Sequence, residues 1–224
     1  QGNVEIVVAP PFPFLIQVGS ILKRARLGAQ DISGFAGGPY TGEVSGRQLR
    51  SLKVSHAIIG HSERKIHLGE TDVMINRKVR LALKQGIKPV LCVGERERQG
   101  RDIPAVVGEQ LRNALGGISP QSVKKVIVAY EPVWAISTMP GAKPDTPDSA
   151  FRAKVYIRRV LTQIYKRTIA ERVPIIYGGS VNSKNIGGFM SEGKMEGALV
   201  GGASLNPREF IKIVAEVNRG RSRS

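Results

Sequence analysis

Two residues whose chemistry suits proton transfer stand directly after apolar runs of this 224-residue chain. Glu131 follows KVIVAY and precedes a proline, and a carboxylate that is partly desolvated at such a position can act as a general base. His61 follows HAIIG and opens the segment HSER, where amides at the start of a helix would favour a neutral imidazole that polarises a carbonyl oxygen. Taken alone, each has a plainer explanation, as a polar loop histidine and as an acid that stabilises the next helix.

Two glycine-rich turns have the composition of an anion site. YGGS ends at Ser180, and VGGAS contains Gly201 and Gly202. Glycines let backbone N–H groups approach an anion closely, and closed α/β barrels frequently hold phosphate in the loops after the last two strands. The two turns follow the last two apolar runs, which favours a phosphate site over two tight turns that bind nothing.

The segment 135–145 reads AISTMPGAKPD and is rich in glycine, proline and small residues. A loop of this composition, attached to the strand that carries the candidate base, indicates a lid over the site. The alternative is an ordinary long surface loop.

The elements that must position these residues alternate along the chain. Seven short runs are apolar on consecutive positions, which is typical of strands buried on both faces of a parallel sheet: 4–9, 26–31, 56–60, 88–94, 125–132, 173–179 and 197–202. Amphipathic patterns predict helices over 71–86, 146–167 and 206–219. Thr146 and Pro147 mark the start of the second helix, and Gly86 marks the end of the first.

Right-handed strand–helix units form either an open doubly wound sheet or a closed eight-stranded barrel. In both architectures the active site lies beyond the carboxyl ends of the strands, where the candidate residues stand. Periodicity alone leaves the two architectures nearly tied, since only seven strands can be counted.

The composition restricts the compartment and the partners. A chain of this length is expected to form one domain over 1–224, and no stretch approaches the roughly 18 apolar residues of a membrane span. Cys92 is the single cysteine and no signal-peptide pattern opens the sequence, so we expect a cytoplasmic location. The net charge of +16 would attract anions, but aromatic residues make up only 5% of the chain, and we expect no nucleic-acid partner.

Together, these segments resemble the triose-phosphate isomerase family. The resemblance is carried by the segments GHSER, AYEPVWAI and YGGSV. Further matching segments, in the family's order across essentially the whole chain, are VVAPP, GAQD, TGEVS, CVGE and ALVGG. The resemblance implies a (β/α)8 TIM barrel and an aldose–ketose isomerase that interconverts D-glyceraldehyde 3-phosphate and dihydroxyacetone phosphate in glycolysis and gluconeogenesis. It implies no metal and no cofactor, because carboxylate and imidazole groups can move the protons of this reaction.

The resemblance also implies a role for each candidate residue. Glu131 would move a proton between two substrate carbons and His61 would be the neutral electrophile, which is the established pairing of this family, while Glu63 would support the site. The other implied roles are substrate-phosphate binding by Ser137, Ser180, Gly201 and Gly202, a lid latch at Tyr177, and a loop that enters the partner subunit of a homodimer at Thr41, Gly42 and Glu43. Structural roles are expected for Arg64, Glu70, Cys92 and Glu95.

The sequence departs from the family in two places. Its lid is a few residues longer, and Ser137 stands where the family has a glycine whose N–H meets the phosphate; serine keeps that N–H provided that the backbone does not require a positive φ. The family's first strand ends in an Asn-x-Lys motif whose lysine counters negative charge in the site, and no such motif precedes Val4. The strands present would then be strands two to eight of a barrel that is incomplete at its N-terminus, and the chain as written would have impaired activity. A non-catalytic phosphosugar-binding or interaction protein with the same fold is the alternative.

Overall fold

The computed structural model describes residues 4–137 and 140–221, and these form two compact units. The N-terminal unit consists of Glu5–Cys92 and Arg112–Ile127. The C-terminal unit consists of Val93–Leu111 and Val128–Ser224, with Gln1–Val4.

Four parallel strands form the sheet of the N-terminal unit. They are β1 (Val7–Val8), β2 (Arg26–Ala29), β3 (His56–Ile59) and β4 (Lys88–Val93), and each pairs with the next in chain order. Val93, the last residue of β4, already belongs to the C-terminal unit. In β4 every residue after Lys88 is buried, and in β2 every residue after Arg26 is buried. Consecutive burial of this kind confirms the prediction of strands covered on both faces for β2 and β4, whereas both residues of β1 are only half-buried.

Two strands lie in the C-terminal unit. They are β5 (Ile127–Tyr130) and β6 (Ile175–Tyr177), which pair in parallel with Val128 opposite Ile175. The seventh predicted strand is only partly formed: Ala198 makes a single parallel bridge to Tyr177, and the chain then turns into GG. Three glycines among its six residues weaken this segment as a strand, because glycine loses the most backbone freedom in an extended ladder. The described residues therefore contain six strands and one bridge.

Helices follow the strands along the chain. In order they are α1 (Leu15–Ile21), α2 (Gly46–Ser51), α3 (Ser62–His67), α4 (Asp72–Lys84), α5 (Ala105–Leu115), α6 (Pro120–Val123), α7 (Pro147–Tyr165), α8 (Arg167–Ala170), α9 (Ile186–Ser191) and α10 (Pro207–Arg221). Short 3-10 turns cover Phe12–Phe14, Val133–Ala135 and Gly202–Leu205.

The predicted helix boundaries agree with the structure. The Thr146 side chain accepts a hydrogen bond from Ser149 N at the start of α7, and Pro147 occupies the first turn. Gly86 has φ +71° just after α4, which is the left-handed conformation predicted for its C-terminal cap. These caps fix where each helix begins or ends, and so fix the length of the loops that carry the candidate site.

Candidate active site

Glu131 directly follows β5 and is buried. Its N–H donates to Val93 O at 2.8 Å, which continues the parallel ladder beyond the end of the strand. Glycines line it on two sides: a Cβ added at Gly94 would overlap the carbonyl group of Glu131, and one added at Gly178 would lie 3.4 Å from its Cγ. Glycines therefore lie against both the backbone and the side chain of the predicted base, and at Gly94 any side chain would collide with it.

Glu95, which follows Gly94 in the chain, organises a buried hydrogen-bond network. Its Oε1 accepts from Tyr130 OH, Trp134 Nε1 and Arg98 Nε, each at 2.9 Å. Arg98 also donates to Ser149 Oγ at 2.7 Å and lies 5.2 Å from the Trp134 ring centroid. Burial, and then the charge of Glu95, raise the pKa of the Tyr130 hydroxyl. Glu95 is structural in the way that the sequence predicted, but its partner Arg98 was not found from the sequence.

The start of the predicted lid is hydrogen-bonded to the first glycine-rich turn. Ser180 Oγ donates to Ala135 O at 2.8 Å and accepts from Ser137 N at 2.8 Å. Ser137 is not among the non-glycine residues of the described chain that have positive φ, so serine fits this position without backbone strain. Thr138 and Met139, in the middle of the lid, lie outside the described residues.

Tyr177 holds the other end of the same loop. Its hydroxyl donates to Asp145 Oδ2 at 3.1 Å, and its ring stacks on Phe189 with centroids 3.9 Å apart. Burial, and then the nearby charge of Asp145, raise the pKa of the Tyr177 hydroxyl, which stays protonated and able to donate. The contact joins Asp145, at the end of the predicted lid, to Tyr177, and the role of a latch stays a prediction.

The two glycine-rich turns leave neighbouring segments at the same edge. Because Ala198 pairs in parallel with Tyr177, the turn that ends at Ser180 and the turn that contains Gly201 and Gly202 both lie beyond the carboxyl ends. Both of these glycines are exposed, and a Cβ added to either would have no atom within 4 Å. The side of each Cα where a side chain would stand is therefore open, and phosphate binding by these two residues stays a prediction.

In the N-terminal unit, His61 caps the start of α3. Its Nδ1 accepts from Glu63 N at 3.4 Å and lies 3.7 Å from the Glu63 carboxylate. The two contacts favour opposite protonation states, because the amide needs a lone pair on Nδ1 whereas the carboxylate attracts a proton to it. The neutral imidazole therefore stays a prediction, while the helix-start position of His61 agrees with the sequence.

A buried charge cluster anchors α3. Arg64 Nη2 lies 2.9 Å from Asp31, and Arg64 Nε lies 3.5 Å from Glu70. Lys78 Nζ donates to both carboxylates, at 2.7 Å to Asp31 Oδ2. The side chains of Lys78 and Glu70 are only 4% and 1% exposed. The sequence predicts structural roles for Arg64 and Glu70, but nothing in it points to Asp31 and Lys78 as their partners.

The residues predicted to enter a partner subunit lie on an exposed turn of the N-terminal unit. Glu43 N donates to Tyr40 O at 3.0 Å, and Gly42, with φ +89°, makes this turn possible. Thr41 is exposed beside it, and Phe35 stacks on Tyr40 with centroids 3.7 Å apart. A stacked aromatic pair thus stiffens an exposed loop.

The structure groups the predicted site residues within each unit. In the C-terminal unit, Glu131 follows β5, and Gly201 and Gly202 follow the Ala198 bridge. Tyr177 ends β6, and Ser180, just beyond it, is hydrogen-bonded to Ser137. In the N-terminal unit, His61 contacts Glu63, and Thr41, Gly42 and Glu43 lie on their own loop. Within residues 4–137 and 140–221, no group of three His, Cys, Asp or Glu side chains could hold a metal ion. No helix of that part of the chain is long and apolar enough to cross a membrane.

Parallel strands joined by helices, with a carboxylate and glycine-rich turns at the carboxyl ends, define an α/β enzyme and fit a TIM barrel. The family model described as triosephosphate isomerase matches residues 1–217. A triosephosphate isomerase from Caldanaerobacter subterraneus subsp. tengcongensis is 45% identical over 218 residues, which are 96% of this chain and 87% of the relative. One from Saccharopolyspora erythraea is 45% identical over 222 residues, covering 96% and 83%, and one from Thermus thermophilus is 42% identical over 216 residues, covering 94% and 84%. The chain belongs to the triosephosphate isomerase family and is an isomerase.

Proposed function

We propose that this protein interconverts D-glyceraldehyde 3-phosphate and dihydroxyacetone phosphate through an enediolate. The observation that carries the proposal is the burial of Glu131 directly after β5, with Gly94 against its backbone carbonyl and Gly178 against its side chain. A base fixed in this way can remove a proton from the carbon next to a carbonyl group and return it to the neighbouring carbon.

The other site residues would act on the oxygens of the substrate. His61 would donate a hydrogen bond to the carbonyl oxygen as charge develops on it, and Glu63, which contacts His61, would support the site. The N–H groups of Gly201 and Gly202 would bind the phosphate, together with Ser180 and Ser137. Since Ser137 N and Ser180 Oγ are hydrogen-bonded to each other, phosphate binding would require them to exchange this bond for bonds to the ligand.

Replacement of Glu131 tests the proposal. We expect Glu131→Gln to lower kcat by about 10²–10⁴-fold with little change in KM, because it keeps the size of the side chain but removes the base. The matched control is Glu109→Gln, an exposed position on α5. Isomerisation measured in both directions should be unaffected by the control. Normal turnover by the Glu131 variant would refute the assignment of the base.

The Asn-x-Lys triplets of these 224 residues are 76–78, inside α4, and 182–184, five residues after the end of β6, so neither ends a strand. We propose that the seven strand segments correspond to strands two to eight. We propose that this polypeptide turns over more slowly than one that carries the motif, by on the order of 10²–10³-fold, because an electrostatic group of the site is then absent. The test compares it with the same chain extended by a family first strand. Equal turnover by the two would contradict the proposal.

The alternative is a phosphosugar-binding protein without catalysis. The open backbone at Gly201 and Gly202 is compatible with it, whereas a buried carboxylate at Glu131 serves no purpose in binding an anion. Calorimetric titration of both proteins with a non-reactive triose phosphate analogue separates the two. The alternative requires binding without turnover, even in the extended chain.

We also propose a homodimer in which the loop with Thr41, Gly42 and Glu43 contacts a second copy. The support is the exposure of this loop together with the Phe35–Tyr40 stack, which gives it a fixed shape and lowers the cost of binding. Light scattering should give twice the mass of the chain, and Tyr40→Asp should shift it toward the monomer. The cytoplasmic location and the absence of a nucleic-acid partner stay predictions; flat, negligible DNA binding at low salt is the expected result for the latter.

A further inference from the structure

The peptide groups of Gly94 are held by one side chain from α5. Gly94 N donates to Gln110 Oε1 at 2.9 Å, and Gln110 Nε2 donates back to Gly94 O at 3.0 Å. The Gln110 amide therefore satisfies both hydrogen-bonding groups of one residue, as a neighbouring strand would.

The position of Gly94 in the ladder explains why it needs this partner. The residues on either side of it, Val93 and Glu95, use their carbonyl oxygens to accept from Glu131 N and Val133 N, at 2.8 and 3.0 Å. Backbone groups of successive strand residues point to alternate edges, so those of Gly94 point away from Glu131. Without Gln110, a half-buried N–H and C=O would lose their partners, which favours movement of this peptide.

Movement of Gly94 would be transmitted to the base. Its Cα faces the carbonyl group of Glu131 so closely that even a methyl group would overlap that carbonyl. Glycine has no side chain that could anchor it and has the widest choice of backbone conformations. The two bonds from Gln110 are therefore what restrains the residue that lies against the backbone carbonyl of Glu131.

We propose that Gln110 is a positioning residue for catalysis: it clamps Gly94 and thereby fixes where Glu131 stands relative to the substrate carbon. The inference rests on the proposed isomerase function. It assigns to Gln110 an effect on kcat and not on substrate affinity, because Gln110 acts through the base and not through the phosphate-binding turns.

Two substitutions separate the contributions of the two bonds. Gln110→Met keeps the length of the side chain and removes both bonds, and we expect kcat to fall about 10–100-fold with little change in KM, because small displacements of a catalytic group have large effects on rate. Gln110→Glu keeps the acceptor and loses the donor when the carboxylate is ionised. Protonation restores a donor, so its kcat relative to the parent should recover as the pH falls toward the usual carboxyl range.

The measurements use whichever parent is the more active, the 224-residue chain or the chain with a restored first strand. Glu109→Gln, the exposed neighbour on α5, is the control for general effects on the helix and should have the kinetics of the parent. Amide hydrogen exchange at Gly94 and Glu131 is recorded for each protein and should be faster in Gln110→Met. If Gln110→Met does not fold, Gln110→Glu supplies both readouts.

The outcomes distinguish this inference from the proposed function. Isomerase activity in the parent, with a fall in kcat and faster exchange at Glu131 in the Gln110 variants, supports both. An active parent with unchanged kcat or a rise in KM alone in the variants overturns the role of Gln110 and leaves the function standing. A parent with no isomerase activity in either form refutes the function, and exchange at Glu131 that does not respond to Gln110 then also refutes the clamp.

Discussion

Removal of the Lys78 charge should strongly destabilise the protein. Lys78 is 4% exposed and donates to the carboxylates of Asp31 and Glu70, which are 9% and 1% exposed. In Lys78→Met, Arg64 alone would face two buried carboxylates. Loss of one partner of a buried ion pair costs about 3–5 kcal/mol of unfolding free energy, and here the single charge of Arg64 would be left to neutralise two carboxylates that are shielded from water. None of these three side chains is exposed enough for solvent to reduce that figure greatly.

Urea denaturation followed by far-UV circular dichroism measures this loss without added salt. Lys84→Met, at an exposed position of the same helix, should change the unfolding free energy by about 0.5 kcal/mol or less. The double variant Lys78→Met with Glu70→Gln restores one cation for one carboxylate, so it should recover much of the loss. A decrease of less than about 1 kcal/mol in Lys78→Met, or no recovery in the double variant, would show that the cluster is not energetically coupled.

The same variant should respond to acid in the direction opposite to most acid denaturation. Burial raises the pKa of Asp31, while its contacts with Lys78 and Arg64 lower it. Without Lys78 that pKa rises further above the unfolded value of 3.8, so the folded state takes up a proton before the unfolded state does. The stability deficit of Lys78→Met relative to the parent should therefore shrink as the pH falls from neutrality toward the unfolded pKa. A deficit that grows with acidity would refute this reasoning.

Further predictions concern four single positions. Gly94→Ala should lower kcat by about 100-fold or more, because the added Cβ would overlap the backbone carbonyl of Glu131. Gly187→Ala should instead raise the unfolding free energy by about 0.5 kcal/mol in urea denaturation, because Gly187 lies in α9 with open space around the added Cβ. Burial lowers the pKa of His56 below 6.5, so in acid the unfolded state binds more protons than the folded state. The unfolding free energy should therefore fall as the pH drops below about 6.5. In His56→Gln this contribution to the pH dependence of the unfolding free energy should vanish. Tyr177→Phe keeps the ring stack on Phe189 but loses the hydrogen bond to Asp145. It should lower the unfolding free energy by only about 1 kcal/mol and should reduce kcat, because the lid would no longer be held at this end. An unchanged kcat would exclude a latch.

Local patterns in the sequence were sufficient for most elements and for the candidate base. Runs of consecutive apolar residues predicted the first six strands, and Thr146 with Pro147 predicted the start of α7. These signals are local because strand burial and helix capping depend on residues a few positions apart. The place of Glu131 after a strand followed from the same patterns, and its role came from the family resemblance.

The partners of the buried polar groups could not be predicted in this way. Lys78 stands in the amphipathic pattern of α4, where a lysine is ordinarily exposed, yet it binds Asp31, which is 47 residues away. Gln110 looks like any polar helix residue until the fold brings it to Gly94, 16 residues away. The apolar centre of the segment 197–202 predicts a full strand, but the structure has only the bridge between Ala198 and Tyr177, because the three glycines of the segment weaken it as a strand.

The sequence by itself determined the family, the order of the elements and the residues able to move a proton, since these depend on residue type and spacing along the chain. Only the tertiary structure decided which glycines line Glu131, which side chain clamps Gly94, and which cations neutralise Asp31 and Glu70. The physical reason is that a buried polar group must find a partner wherever the packed chain supplies one, and that choice is made by proximity in space and not by any local pattern.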